Sequence, residues 1–223
     1  MLSFIENIGL ILQRYGTVFA QGLWNTLWLS FVSVFLGTFL GILVALGKLS
    51  RHKLLNGVVS TYIEIIRGTP ILLQLYFFWL ALPNILPSIS DTTCILSALV
   101  VNASAYIAEV IRAGIQAVDA GQREASLSLG MTERAIMTKV IFPQAIKNIL
   151  PALGNEVIVM IKQTSLASVF FFGELMTAYK QVQSTTFLAL EPLTISGLIY
   201  LFLTVTLSRI TRHFEKRMKQ NER

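Results

Sequence analysis

The sequence has 223 residues, of which 54% are hydrophobic and only 13% are charged. Soluble domains carry about 25% charged residues, so this chain has too little polar surface to cover a soluble globule. A chain this rich in hydrophobic residues is not expected to be disordered. Cys94 is the single cysteine, so the fold cannot depend on a disulfide bond within the chain. We therefore expect an all-α integral membrane protein.

The first residues do not resemble a cleaved signal peptide. They lack a basic start, and no small-residue cleavage site follows a short apolar core. We expect residues 1–16 to form a short amphipathic lead-in to the first membrane span.

Long stretches with few or no charges define the predicted spans. A helix needs roughly 20 apolar residues to cross a bilayer core. This predicts five transmembrane helices within one transmembrane domain covering residues 1–223, at about 22–46, 57–81, 92–113, 148–172 and 192–211. In the first span, Gly37 and Gly41 form a small-xxx-small pair that favours close helix packing.

The second span contains an acidic and a basic residue followed by a helix breaker. Glu64 and Arg67 lie three positions apart on a helix, and we predict a structural ion pair between them. Pro70 cannot donate a backbone hydrogen bond, so a local break is expected there. Broken backbone survives at membrane depth only inside protein or beside a water-filled cavity, which Gln74 would line.

The third span carries a polar stripe on an otherwise apolar helix. Asn102 and Tyr106 are four residues apart, and Glu109 follows three residues later. Such a stripe faces the protein interior, where a hydrogen-bonded packing role is the simplest interpretation.

The one large loop, at about 114–147, is predicted to be a compact helical hairpin. A helical pattern over 122–129 ends at Gly130, which can adopt a positive φ. Thr132 suits the N-cap of a second helix, and Glu133 suits its first turn. The first helix offers apolar residues for packing, namely Ala125, Leu127 and Leu129. By shape this hairpin is either a docking element or an ordinary connector.

The fourth span is expected to follow breaks at Pro143 and Pro151, and it contains Glu156 and Lys162. Ionisable residues inside a span are expensive and tend to be paired or functional. Glu156 could meet Lys162 or Arg67, or it could bind the cationic group of a substrate. Glu156 shares a helix face with Met160 and Gln163, whereas Lys162 shares one with Ser165.

Most of the 18 basic residues lie in three segments, the 47–56 loop, the 112–147 stretch and the tail from Arg209. The positive-inside rule then places the N-terminus outside and the C-terminus in the cytoplasm. Because these residues are spread over separate loops, nucleic-acid binding is not expected. His52 and His213 are isolated, so we predict no metal site, and no catalytic nucleophile–base pattern is apparent.

Several motifs in the expected order resemble those of ABC-importer permeases. Glu124-Ala125-Ser126, then Gly130, then Ile141-Phe142-Pro143 is similar to the EAA loop of that family, with Ser126 and Phe142 as mild departures. Three further segments resemble motifs of the branch of this family that carries polar amino acids. They are Arg67-Gly68-Thr69-Pro70, Asn102 to Glu109, and Asn155-Glu156 with Lys162 to Leu166.

The resemblance implies the permease subunit of a type I importer for polar amino acids in the bacterial inner membrane. The implied partners are two ATPase subunits, a second permease chain that is identical or paralogous, and an extracytoplasmic solute-binding protein. ATP and magnesium would bind the ATPase subunits, so this chain would be no enzyme and would hold no cofactor.

The resemblance also implies roles for individual residues. The loop between the third and fourth spans would be the coupling helix that contacts the ATPase, through Glu124, Ala125, Gly130, Met131 and Thr132. Candidates for the substrate pathway are Thr69, Gln74, Asn102, Glu156, Met160, Lys162, Gln163 and Ser165. The structural polar residues are Glu64, Arg67, Tyr106 and Glu109. An acidic residue at Glu156 resembles the members that carry cationic amino acids.

Two other classes of function remain open on the sequence. An ion-gradient-driven secondary transporter would use the membrane acids as proton or sodium sites, but no inverted repeat is evident. A membrane enzyme subunit or scaffold is disfavoured because catalytic residues are not clustered.

Overall fold

The computed structural model describes residues 2–220, with side chains from residue 3 to 218. This part of the chain is helical and contains no β-strand. The first helix, α1 (Leu2–Lys48), is continuous. The predicted lead-in is, over residues 2–16, part of this first helix rather than an element of its own. Its apolar residues explain the difference, because Ile11 and Phe19 are buried in a cluster with two later helices.

The predicted second span is two helices. Helices α2 (Lys53–Gly68) and α3 (Ile71–Ile85) meet at an angle of 108°. The predicted break is confirmed, since Thr69 and Pro70 both have extended backbone angles. A straight span over 57–81 is therefore ruled out.

Helix α4 (Asp91–Gln116) lies at the centre of the main core. It packs against α1, α2 and α3, and against the later helix Phe142–Gln163. Small residues allow the close approach of α1, because a methyl group added at Gly37 would lie 2.6 Å from the Cβ of Ala103. One added at Gly41 would lie 2.9 Å from Ile107. The predicted packing role of these two glycines is confirmed.

The predicted hairpin follows, as α5 (Ala120–Ser128) and α6 (Glu133–Ile136). A π-helical turn over Met137–Ile141 then leads directly into α7 (Phe142–Gln163). The predicted breaks at Pro143 and Pro151 are wrong. Pro143 directly follows the π-helical turn, where the hydrogen-bond register changes, and Pro151 lies inside α7, which packs against α4 and the last helix, Leu190–Gln220.

A 3₁₀ segment, Thr164–Phe170, continues α7 and is followed by α8 (Leu175–Thr186) at an angle of 45°. The last helix, α9 (Leu190–Gln220), is longer than the predicted 192–211 span. Three described helices are long and apolar enough to cross a membrane, and the count rises to five if each bent pair is one span. The predicted total of five stays a prediction.

Candidate functional site

The break between α2 and α3 brings three of the predicted pathway residues together. The amide of Gln74 donates to the carbonyl of Ile66 at 2.7 Å, and to the carbonyl and hydroxyl of Thr69 at 3.2 and 2.9 Å. The amide of Asn102 on α4 in turn donates to the Gln74 side-chain oxygen at 2.9 Å. Gln74 and Asn102 are buried, so their amides serve the broken backbone and the α3–α4 contact.

A groove of about 750 Å³ lies beside this break. Gln74 and Thr69 lie on its wall, as expected for a cavity at the broken backbone, but the other lining residues include Leu73, Phe77 and Leu80. The groove is therefore almost wholly apolar.

The predicted ion pair between Glu64 and Arg67 is wrong. The Arg67 guanidinium lies 5.4 Å from the centre of the Tyr106 ring and 4.0 Å from a carboxylate oxygen of Glu109. Helix α4 thus places an aromatic ring and a carboxylate next to the Arg67 guanidinium, whereas Glu64 would provide only a carboxylate. Glu64 is exposed and makes no ion pair within the described side chains.

Glu109 is the centre of this charged group. Its carboxylate accepts from the Arg112 guanidinium in a bidentate ion pair, with the Arg112 Nε 3.0 Å from each oxygen. Arg112 also donates to Gln116. The group therefore extends from the α2–α3 break to the last turn of α4, four residues before α5 begins. Arg67, Tyr106 and Glu109 thus contact one another, and their structural role stays a prediction.

Glu156 is half-buried on α7, and its carboxylate makes no hydrogen bond or ion pair among residues 3–218. Arg67 acts on it electrostatically but is engaged by α4. Neither predicted ion pair, with Lys162 or with Arg67, is formed.

The other predicted pathway residues of α7 have different surroundings. Lys162 is exposed and Gln163 is half-buried, and neither side chain makes a hydrogen bond within the described part of the chain. The hydroxyl of Ser165 donates to the carbonyl of Lys162 at 2.6 Å. Met160 is buried in the main core against α1 and α4, which makes it a packing residue. This corrects the expectation that Met160 lines the pathway.

The turn between α5 and α6 has the backbone conformation that the sequence predicts. Gly130 has φ of 73°, and its N–H donates to the carbonyl of Leu127. The N–H of Met131 donates to the carbonyl of Ser126, which completes a Schellman motif. The Thr132 hydroxyl accepts from the N–H of Ala135 and caps α6.

One ion pair joins the two arms of this hairpin. Arg123 donates to Glu133 at 2.6 Å, and this interaction lowers the pKa of the Glu133 carboxyl below its usual range. Ser126 is the single buried residue of α5, and its hydroxyl donates to the carbonyl of Gln122 at 2.7 Å. The outer surface of α5 is uncovered, since Glu124 and Ala125 are exposed.

A buried polar cluster at the start of α8 was not predicted from the sequence. Glu174 is fully buried, caps α8 by accepting from the N–H groups of Met176 and Thr177, and accepts from the Tyr200 hydroxyl at 2.9 Å. The Thr26 hydroxyl accepts from the N–H of Leu175. An acidic residue immediately before a helical run was the available signal.

Comparison with known proteins shows the family of this chain. Residues 37–220 match the family described as "Binding-protein-dependent transport system inner membrane component". The chain belongs to this family. As a permease it is 38% identical over 203 residues to the arginine transport system permease protein ArtQ of Bacillus subtilis, covering 91% of this chain and 93% of that protein.

Other relatives place the permease among amino acid importers. It is 36% identical to the glutamine transport system permease protein GlnP of Escherichia coli K12, covering 89% of this chain and 92% of that protein. A solved structure, "Crystal structure of an amino acid ABC transporter with histidines", superposes with a TM-score of 0.90 at 48% identity, covering 93% and 97% of the two chains. The methionine transporter MetNI, at 21% identity and a TM-score of 0.76, shares the fold.

These findings confirm the predicted family and branch. The protein is the permease subunit of an amino acid ABC importer, an inner-membrane component. Members of such a family work with an ATPase, a solute-binding protein and a second permease.

Proposed function

We propose that this permease carries cationic amino acids and that Glu156 binds their positive group. The unpartnered, half-buried carboxylate of Glu156 carries this proposal. A carboxylate at membrane depth needs a cation or several donors, and this chain supplies neither in direct contact. A permanently paired structural acid would have its partner already in place.

The relatives give independent support for a cationic substrate. One is named for arginine transport, and one solved neighbour was determined with histidines. The glutamine relatives favour a neutral substrate, so uptake of both classes must be compared.

The test measures uptake in proteoliposomes that contain the complete transporter. Glu156→Gln removes the charge but keeps the shape, so arginine uptake should fall about tenfold or more, since hydrogen bonds to charged groups contribute about 1.5–3 kcal/mol. Glu64→Gln removes an exposed charge from α2 and is the matched control. Unchanged arginine uptake by Glu156→Gln, or an equal loss in the control, would contradict the proposal.

We also propose that the α5–α6 hairpin is the surface that receives the ATPase. Its uncovered face supports this role, with Glu124 and Ala125 exposed beside Leu127 and Leu129, which are 47% and 81% exposed. Apolar side chains on a rigid, capped hairpin fit a docking surface better than a solvated connector. Met131 and Thr132 hold the turn that presents this face.

In the proposed cycle, two permease chains form the pathway and two ATPase subunits bind their hairpins. The hairpins then lie on the cytoplasmic side and the N-terminus lies outside, as the distribution of basic residues favours. Closure of the ATPase dimer would move the hairpins and expose the pathway alternately to the two sides.

Gly130 provides the test of coupling. Gly130→Val forces a β-branched residue into a positive φ, at a cost of about 1–3 kcal/mol, and should distort the hairpin. ATP hydrolysis should then continue with little uptake. Gly57→Val is the control, because a Cβ added at Gly57 meets nothing within 4 Å and φ there is not positive. Normal coupling in Gly130→Val would refute the docking role, and ion-driven uptake without the ATPase would support the secondary transporter.

A further inference from the structure

One face of α9 changes abruptly from exposed apolar residues to exposed basic residues. The apolar part consists of Leu198, Leu201, Phe202 and Val205, whose exposed fractions are 58%, 57%, 70% and 37%. The basic part consists of Arg209, Arg212, His213 and Lys216, all exposed. Spacings of three and four residues connect the whole set, so they form one continuous stripe along the helix.

This stripe points away from the protein. The opposite face of α9 carries Thr211, Phe214 and Met218, which line an apolar groove against Leu150 and Gly154 of α7. Because these contacts use the other side of the helix, residues 3–218 of this chain leave the stripe uncovered.

The basic part of the stripe forms no ion pair with the described residues 3–218. The four side chains border an open surface recess of about 450 Å³, and no other side chain among residues 3–218 lines it. No acidic side chain among residues 3–218 forms an ion pair with Arg209, Arg212 or Lys216. Arg212 donates its Nε to the Ser208 carbonyl at 3.2 Å, which anchors that side chain along the helix.

The dimensions of the stripe match one leaflet of a bilayer. Eleven residues separate Leu198 from Arg209, which is about 16 Å at the rise of an α-helix. Half of a bilayer core is about 15 Å thick. Acyl chains lying along the apolar part would therefore place a headgroup phosphate at the basic part.

From this geometry we infer that the stripe on α9 binds an anionic phospholipid, with its acyl chains along Leu198 to Val205 and its phosphate among the basic residues from Arg209 to Lys216. The guanidinium groups supply charge-assisted hydrogen bonds to phosphate oxygens. The leaflet concerned is the cytoplasmic one, and this last point alone rests on the orientation proposed above.

Lipid retention by the complete chain in detergent tests the inference, with native mass spectrometry as the readout. Phosphatidylglycerol and phosphatidylcholine with identical acyl chains are titrated separately. The wild type should retain phosphatidylglycerol selectively. In Arg209→Gln/Arg212→Gln/Lys216→Gln, retention should weaken about fivefold for each basic residue removed. In Arg209→Lys/Arg212→Lys, which keeps the charge, most of the selectivity should remain.

The matched control is Arg51→Gln/Lys53→Gln/Lys139→Gln, which removes the same charge from three exposed residues elsewhere. It should retain phosphatidylglycerol as the wild type does. Equal losses in the two triple variants, or no loss in the stripe variant, would overturn the inference. Thermal unfolding in phosphatidylcholine verifies that the stripe variant is folded.

Two further arms exclude other occupants. Inorganic phosphate at millimolar concentration should not displace the lipid, because it lacks acyl chains; full displacement would show a free-anion site. The purified ATPase should bind the stripe variant as it binds the wild type, and a selective loss of that binding with unchanged lipid retention would assign the stripe to the protein partner. Lipid retention needs no transport, so its failure and a failure of the proposed uptake are distinguishable.

Discussion

Gln74 holds a broken helix together with one side-chain amide. Without it, the carbonyls of Ile66 and Thr69 near the end of α2 would lose a donor, and the amide of Asn102 would lose its acceptor. Unsatisfied polar groups cost several kcal/mol at membrane depth because no water replaces the lost partner. The bend of 108° between α2 and α3 is therefore tolerated because this network surrounds it.

This network predicts a large effect of a nearly isosteric substitution. Gln74→Leu leaves at least two buried polar groups without a hydrogen-bond partner, and each such group lowers the free energy of unfolding by about 1–3 kcal/mol. We expect a lower midpoint of thermal unfolding for the purified permease. Gln163→Leu, at a half-buried amide without a hydrogen bond among the described residues, should change the midpoint little. Equal midpoints in the two variants would show that the Gln74 bonds do not stabilise the fold.

At the same scale, local residue chemistry was predictable and partners were not. Pro70, Gly130 and Thr132 act through the backbone within a few residues, and each is found in its predicted conformation. The Arg67 side chain contacts Tyr106 and Glu109 on α4 and forms no ion pair with Glu64 on its own helix. Such a choice depends on which helix packs alongside, and the local sequence does not contain that information.

Among the helices, α1 and α4 can pack closely only because glycine and alanine occupy their contact. A methyl group at Gly37 would lie 2.6 Å from the Ala103 Cβ, which is fixed to the backbone and cannot move aside. The two helices can approach closely because both positions are small.

Substitution at this contact should be destabilising and reversible by a second change. Gly37→Ala is expected to cost about 1–3 kcal/mol through overpacking. Adding Ala103→Gly removes the colliding methyl group and should restore most of the unfolding midpoint. Gly9→Ala, where the added methyl meets nothing within 4 Å, should be neutral or slightly stabilising. Failure of the double variant to recover would mean that the contact does not limit stability.

Helix α8 was not predicted because its residues are largely polar and no apolar run marks it. Tertiary contacts supply what its composition lacks. Leu175 and Val182 are buried against α1 and α9, and Glu174 caps its first turn. The continuous α1 has a similar explanation, because its first half packs against α8 and α9.

For the whole molecule, the distribution of basic residues makes a topological prediction. Cys94 is buried, so it should react slowly with a membrane-impermeant maleimide, and single cysteines can be added to the natural sequence. In intact cells, Ser184→Cys should be labelled, whereas Ser128→Cys should be labelled only after permeabilisation. Both positions are exposed in the structure, so burial does not explain a difference. The reverse pattern would invert the proposed orientation.

By itself, the sequence determined the membrane class, the family, the break at Pro70 and the capped hairpin around Gly130. These follow from composition, from ordered motifs and from backbone preferences that act over a few residues. Only the tertiary structure decided which polar groups meet. In it, the Arg67 guanidinium lies against the Tyr106 ring and the Asn102 amide donates to Gln74. The Glu156 carboxylate makes no direct hydrogen bond or ion pair with the described residues. The physical reason is that hydrogen bonds and ion pairs act over about 3–4 Å, and helix packing brings together residues that are far apart in the chain.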